Sequence, residues 1–519
     1  MVLSRHSRRF AIAAVVAAAA AFISGCTGGG QVPPVAACGP RNVPAASPSR
    51  PNIVFVLTDD LSTNLVRYMP HVRALEKAGT SFSNFTVTDS LCCPSRASIL
   101  TGRFPHDTGV FTNAGPDGGF HAFQRHGDAA TTFATALHKA GYRTAMMGKY
   151  LNEYEPKVHA APGWSEWDVT GAGYRGFDYN LNQNNHVVHY GSAPRDYLTD
   201  VLGRRATRFI DARADCPAGP AGHPGHAPFM LEVATFAPHK PYVPAPRDAH
   251  AFPNLNEPHS AAYDRLPRQA PRWLADRTPL TPRQKNLMDD VFRRRVRSIQ
   301  AVDRMIGEIE AALRRAGDAK NTVIMFSSDN GYHLGEYRLP PGKMTAFDTD
   351  VRVPLVAVGP GIPAGRVTDA VAENIDLAPT FVELAGGTPS KQVDGRSLVP
   401  LLHGRTPSHW RTAALVEHHK PDKYTVGPDL DGAKAADPPT YSAMRTRNYT
   451  YVEYVDGMRE LYDLRRDPHE LDNLVSRLPA ATLDDLHRKL AALENCHGAR
   501  ECRAADHPPA VRGLRHTTR

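Results

Sequence analysis

The sequence predicts an α/β fold: a large, mostly parallel central sheet flanked by helices, followed by a smaller α+β C-terminal domain. Three observations predict it. Apolar, β-branched runs bounded by turn residues recur at 53–57, 145–147, 229–235, 323–326 and 355–358, as expected of strands buried in a sheet. Helical patterns alternate with them, and such alternation gives parallel strands covered on both faces. After about residue 405 the texture changes to short strand-like runs at 413–417, 441–445 and 449–454, then a helical stretch at 483–493.

The helices are punctuated as their chemistry requires. The pattern at 131–139 stops before Gly141, and a long one opens at Thr281-Pro282 and stops before Gly317; proline suits the first helical turn and glycine the position past the end. In the long helix Leu287, Val291, Val296, Ile299, Val302, Ile306, Ile309 and Leu313 keep a three-or-four spacing, which predicts one face packed on the sheet. No internal repeat interrupts this order.

A chain of 519 residues with 41% hydrophobic and 22% charged residues is globular in composition. Its formal charge of +8 suits either a solvated basic surface or an anionic partner. No nucleic-acid-binding pattern is present, so nucleic acid is not the expected partner. Arg5, Arg8 and Arg9 precede an uncharged, alanine-rich run from Phe10 to Gly25, too short for a spanning helix and read as an export signal over 1–25. The run closes on Ile23-Ser24-Gly25-Cys26, which resembles the lipobox of bacterial lipoproteins. A lipid on Cys26 would anchor the protein to the membrane at the cell surface, and Ser7-Arg8-Arg9-Phe10 is similar to a twin-arginine signal. Residues 26–51 read as a lipidated flexible tether, 52–405 as the catalytic domain, 406–503 as the C-terminal subdomain and 504–519 as a mobile basic tail. Seven cysteines cannot all pair within one chain. Cys496 and Cys502 flank a short loop and are expected to bridge; Cys38 with Cys216 is a second possible pair.

Polar clusters follow the apolar runs directly: Asp59-Asp60, Lys149, His239-Lys240 and Asp329-Asn330. In an open α/β sheet, ligands bind outside the carboxyl ends of the strands, so these clusters should meet on one rim. In isolation an Asp pair is more simply a helix cap or a turn, and Asn-Gly is a common turn. Four oxygen donors from two strand ends favour a hard divalent cation, Ca²⁺ or Mg²⁺ rather than zinc.

The stretch "LCCPSRASILTGR" from Leu91 to Arg103 places two cysteines before a Pro-Ser-Arg turn that opens a helix. A helix N-terminus attracts anions, and Arg96 beside it would complete an anion clamp. From physics alone a buried cysteine pair is an equal alternative. The string Cys92-Cys93-Pro94-Ser95-Arg96, followed by Thr101-Gly102-Arg103, resembles the signature of the type I sulfatases, in which the first cysteine becomes Cα-formylglycine. Further stretches are similar: "RPNIVFVLTDD", "GKYLNEY", "APHKPYVP", "SSDNGYHLGEYRLPPGK" and "LYDLRRDPHELDNL". "GKYLNEY", "DYLTDVL" and the final "CHGARECR" resemble the N-acetylglucosamine-6-sulfatase and endosulfatase branch.

The resemblance implies an alkaline-phosphatase-like sandwich and a set of roles. Asp59, Asp60, Asp329, Asn330 and the modified Cys92 would hold one Ca²⁺. Arg96 would hold the formylglycine hydrate, and Lys149, His239 and Lys343 would bind sulfate and assist departure of the alcohol. Asn152 stands where many sulfatases place a histidine, and His333 is a candidate substrate contact. A formylglycine-generating enzyme is the implied maturation partner and a sulfated carbohydrate the implied substrate. Two other readings stay open: a phosphodiesterase or phosphonate hydrolase with the same site, and a lipoprotein that binds sulfated glycans without turnover. Trp164, Trp167 and Tyr174 are read as core aromatics before sugar-stacking ones.

Overall fold

The computed structural model describes residues 46–47, 49–212, 227–421 and 436–506. The stretch read as an export signal, Cys26, most of the stretch read as a tether, Cys38, Cys216 and residues 507–519 of the stretch read as a tail lie outside the described residues. The strands are β1 (Asn52–Thr58), β2 (Thr80–Phe82), β3 (Phe85–Thr86), β4 (Arg143–Lys149), β5 (Glu166–Thr170), β6 (Tyr179–Gln183), β7 (His186–Tyr190) and β8 (Phe229–Ala234). They continue with β9 (Thr322–Ser328), β10 (Leu355–Val358), β11 (Arg366–Thr368), β12 (Ala372–Glu373), β13 (Ala413–His418), β14 (Tyr441–Thr446), β15 (Tyr449–Tyr454) and β16 (Arg459–Asp463).

Ten of them form one sheet in the order β11-β2-β10-β9-β1-β8-β4-β5-β6-β7. Its middle, β9-β1-β8-β4-β5, is parallel throughout. The run at 355–358 is β10, which pairs antiparallel with β9 and with β2. The hairpin strands β6 and β7 and the short β2 and β11 carry no strong apolar run, and sequence periodicity did not reveal them.

Strand β1 shows why the sheet is covered on both sides. Ile53, Phe55 and Leu57 point into one core, shared with the helices Cys92–Thr101, Phe133–Lys139 and Leu377–Leu384. Val54 and Val56 point into the other, shared with the helices Pro70–Ala78, Leu198–Asp211 and Pro282–Arg315. Alternate side chains leave opposite faces of a strand, so an unbroken apolar run requires two cores. Each large side chain buried this way contributes about 1.5–3 kcal/mol.

Helix Pro282–Arg315 starts on the expected signal: the Thr281 side chain accepts from the Gln284 N–H while the Gln284 side chain accepts from the Thr281 N–H. One apolar position departs from expectation. Leu287 is 49% exposed and the adjacent Met288 is buried instead, because the stripe of a 3.6-residue helix drifts off a strict three-or-four series before the helix reaches the sheet.

The smaller sheet, β13-β14-β15-β16, is antiparallel throughout. Leu415, Met444, Tyr451 and Leu461 pack under the helix Ala480–Glu494, while Val416, Ala443 and Val452 join the core of the large sheet. Cys496 and Cys502 are disulfide-bonded, as the sequence leads one to expect. Two boundaries differ from the sequence reading. Arg50, assigned to the tether, donates to the Ala140 and Ala385 carbonyls at 2.7 and 3.2 Å, and the last helix runs to Ala505, into the stretch read as tail.

Candidate active site

Because β1, β4, β8 and β9 are parallel, their carboxyl ends share one rim, and the chain delivers its polar clusters there. Asp59 and Asp60 leave β1, Lys149 ends β4, His239 follows β8, and Asp329 and Asn330 leave β9. All six are at most 3% exposed. Gly148 lets β4 approach β8: with φ of 102°, it faces Ala234, whose carbonyl oxygen would lie 1.9 Å from an added Cβ. Glycine tolerates both the conformation and the contact, which delivers Lys149 to the rim.

Cys92 is the first residue of helix Cys92–Thr101, and its Sγ lies at the focus of the cluster. It is 3.1 Å from Asp59 Oδ1, 3.9 Å from Asp60 Oδ1 and 2.7 Å from Lys343 Nζ. Lys343 Nζ also lies 2.7 Å from Asp60 Oδ1, and Lys149 Nζ lies 2.6 Å from Asp59 Oδ2. His239 Nε2 lies 3.6 Å from Asp60 Oδ2, and its Nδ1 faces the Lys240 carbonyl at 2.7 Å. Arg96 Nε donates to Asp329 Oδ2 at 2.8 Å and its Nη1 to the Lys149 carbonyl at 2.9 Å. Neither Cys92 nor Cys93 is in a disulfide. Cys93 turns into the apolar core, where burial pushes its thiol up to about 12.

The electrostatics follow from so many charges out of water. Burial would raise the Asp59 carboxyl, but Lys149, His239, Arg96 and Lys343 together hold it well below the usual carboxylate range. Burial and the neighbouring Asp59 push Asp329 the other way, to about 6, against the attraction of Arg96. For Lys149, burial favours loss of the proton, yet Asp59 and Cys92 outweigh it and keep the ammonium charged.

The residues present fit a hard cation. Asp59, Asp60, Cys92 and His239 bring ligand atoms within 4.8 Å of one another. Asn330 Oδ1 is buried with no hydrogen-bond partner, while its Nδ2 donates to Asp60 Oδ1 at 2.7 Å. A carboxylate pushed upward by burial and by a second carboxylate, beside an orphaned amide oxygen, is the donor set expected where a cation supplies the missing positive charge.

The remaining site candidates are also at hand. Asn152 is buried and its Nδ2 lies 3.4 Å from the Tyr174 hydroxyl. The Tyr174 ring packs 4.8 Å from the His239 ring, with Lys149 Nζ 5.2 Å from its centre; unlike Trp167, a fully buried core residue, it borders the site. His333 is wholly buried, with Nδ1 held by Asp350 at 2.9 Å and Nε2 without a partner.

Sequence reasoning missed the residues that brace this cluster. Ser95 Oγ bonds the Asp329 carbonyl and receives Asn374 Nδ2 at 2.9 Å. Arg295 donates to the Asp60 carbonyl at 2.6 Å. A signal for Arg295 existed: it stands four residues from both Val291 and Ile299, on the apolar face of its helix.

Comparison with known proteins decides the family. The sulfatase family model matches residues 51–387, more than half of the chain. The chain belongs to the sulfatase family. A second model, the C-terminal region of N-sulphoglucosamine sulphohydrolase, matches residues 335–496. Human N-acetylglucosamine-6-sulfatase is 32% identical over 88% of this sulfatase and 86% of its own length. The N-acetylglucosamine-6-O-sulfatase of Bacteroides thetaiotaomicron is 26% identical over 82% of this sulfatase and 83% of its own length. Among solved structures, a protein in complex with its substrate D-glucosamine-2-N,6-O-disulfate superposes with a TM-score of 0.72. It is 23% identical and aligns over 88% of this sulfatase and 99% of that chain. The phosphonate monoester hydrolase of Agrobacterium radiobacter shares the fold at 20% identity, with a TM-score of 0.64 over 86% of this sulfatase and 96% of that chain.

Proposed function

We propose that this sulfatase is exported and releases inorganic sulfate from a 6-O-sulfated N-acetylglucosamine or a related sulfated glycan, using a formylglycine made from Cys92. One observation carries the reading: the Cys92 side chain begins a buried helix and touches Asp59 and Lys343 at once. The thiol marks where the oxygens of the modified side chain would sit. The N-acetylglucosamine-6-sulfatases among the relatives support the substrate class, and the N-terminal signal with Cys26 supports export to a membrane-anchored position.

Asp59, Asp60, Asp329, Asn330 and residue 92 would hold one Ca²⁺, which when bound supplies Lewis-acid stabilisation of oxygen charge. A formylglycine at 92, when present as its hydrate, would offer two hydroxyls, one as nucleophile toward sulfur and one to give up a proton for sulfate release. The chain does the rest. Lys149 and Lys343, buried and cationic, neutralise the charge of the sulfate ester where bulk water cannot screen it. Arg96, fixed by Asp329 and the Lys149 carbonyl, presents its guanidinium to the side chain at 92. His239, held through Nδ1 by the Lys240 carbonyl, directs Nε2 at the cluster and gives a proton to the departing sugar oxygen.

The test is mass spectrometry of the tryptic peptide that carries Cys92, from protein made in a host with a formylglycine-generating enzyme. Turnover of nitrophenyl sulfate, a nitrophenyl phosphodiester and 6-sulfated N-acetylglucosamine is measured on the same preparation. Conversion at Cys92 with preference for the sulfates supports the reading. An intact thiol in a protein that still releases sulfate refutes the formylglycine mechanism, and faster phosphodiester turnover replaces the sulfatase reading with the hydrolase one.

A further inference from the structure

Arg295 is 1% exposed, in the middle of a helix that packs against the far side of the sheet from Cys92. Among the described residues no carboxylate lies at ion-pair distance from it. Burial accordingly pulls its pKa below the usual value. A buried guanidinium in that position is costly unless its contacts are specific. Those contacts fall on two loops. Nη2 donates to the Asp60 carbonyl at 2.6 Å and lies 3.3 Å from Ser62 Oγ, on the loop after β1. The guanidinium carbon lies 4.0 Å from the centre of the Tyr332 ring, on the loop after β9. Tyr332 is fixed in turn by the Tyr242 hydroxyl at 2.6 Å.

Each loop carries half of the oxygen donors: Asp59 and Asp60 on one, Asp329 and Asn330 on the other. Asp60 is also held in a left-handed backbone conformation, φ 64°, which an L-residue avoids without external support. We propose that Arg295 is a positioning residue that clamps the two loops from outside the ligand cluster and sets the spacing of Asp60 and Asn330 for a divalent cation. The inference rests on the ligand set proposed above. A hydrogen bond to one loop and a cation–π contact with the other are both needed, and the broad guanidinium of arginine supplies both where the compact ammonium of lysine supplies one.

The experiment is calorimetric titration of Ca²⁺ into metal-stripped protein, with thermal unfolding recorded in parallel. Arg295→Met and Tyr332→Leu should each weaken Ca²⁺ binding about ten- to a hundredfold, as removal of partners that orient metal ligands does. Arg295→Lys should recover part of the loss. The double variant should be no worse than the weaker single one, since either change opens the clamp. A dissociation constant within about twofold of wild type in folded Arg295→Met overturns the clamp, even if the melting temperature falls. Tighter binding in that variant overturns it too, because repulsion between the guanidinium and the cation would then dominate. If one variant fails to fold, the other and Arg295→Lys read the same constant. Wild-type protein that binds no Ca²⁺ overturns the ligand set itself, and the clamp with it.

Discussion

Replacing Glu232 by glutamine should make the protein more stable at pH 8.5 and leave it almost unchanged at pH 5. Glu232 sits in the middle of β8 and, like Met230 and Ala234, faces the core beneath helix Cys92–Thr101; it pairs in register with Phe55 and Met146. Its Oε2 has no hydrogen-bond partner. Burial raises its pKa from 4.5 to about 7, and the Arg96 guanidinium offsets only part of that. A carboxyl whose folded pKa is raised gives stability that is complete below 4.5 and is lost as pH rises through about 7. At about 1.4 kcal/mol per unit, the shift is worth about 3 kcal/mol above pH 7 and less than about 1 kcal/mol at pH 5. Glutamine has the same shape and never ionises, so the difference between wild type and Glu232→Gln isolates this one titration from all others. Urea midpoints at the two pH values measure it. A variant no more stable than wild type at pH 8.5 would show that Arg96 fully compensates an ionised Glu232, and the reasoning from desolvation would fail.

Cys92→Ala should abolish nitrophenyl sulfate turnover, a loss of at least about a thousandfold, with no change in thermal midpoint. Lys149→Met leaves the Asp59 carboxylate, 0% exposed, without its nearest cation; unfolding should lose about 3–5 kcal/mol by urea titration, and a loss under about 1 kcal/mol would argue against a charged pair. Although burial disfavours its charged form, His106 is raised to about 9 by Glu417, 2.9 Å away. Its stabilisation is therefore full below 6.5 and lost as pH climbs through about 9, and His106→Ala should flatten that alkaline decline in a pH series of melting curves. Reducing the Cys496–Cys502 bridge, which closes a loop of six-residue separation, should cost about 2 kcal/mol, read as a lower urea midpoint in reducing buffer.

The sequence by itself determined the layered α/β plan, because 53–57 and 323–326 are apolar at every position and only a strand between two cores accommodates that. It also showed which polar groups stand at strand ends, since Asp59, His239 and Asp329 follow apolar runs and Lys149 closes one, and the carboxyl ends of parallel strands share a rim. Only the tertiary structure decided how those groups are paired. Lys343 reaches Cys92 across 251 residues of sequence, and Arg96 reaches Asp329 across 233. Short strands such as β2 and β11 were likewise decided by their neighbours, as three residues carry too little periodicity to show in sequence. Arg295 shows the same division: its place on an apolar helix face is written in the spacing, while its partners at Asp60 and Tyr332 come from loops of two other strands. Local sequence sets the direction in which a side chain leaves the backbone, and packing of distant segments sets what it meets there.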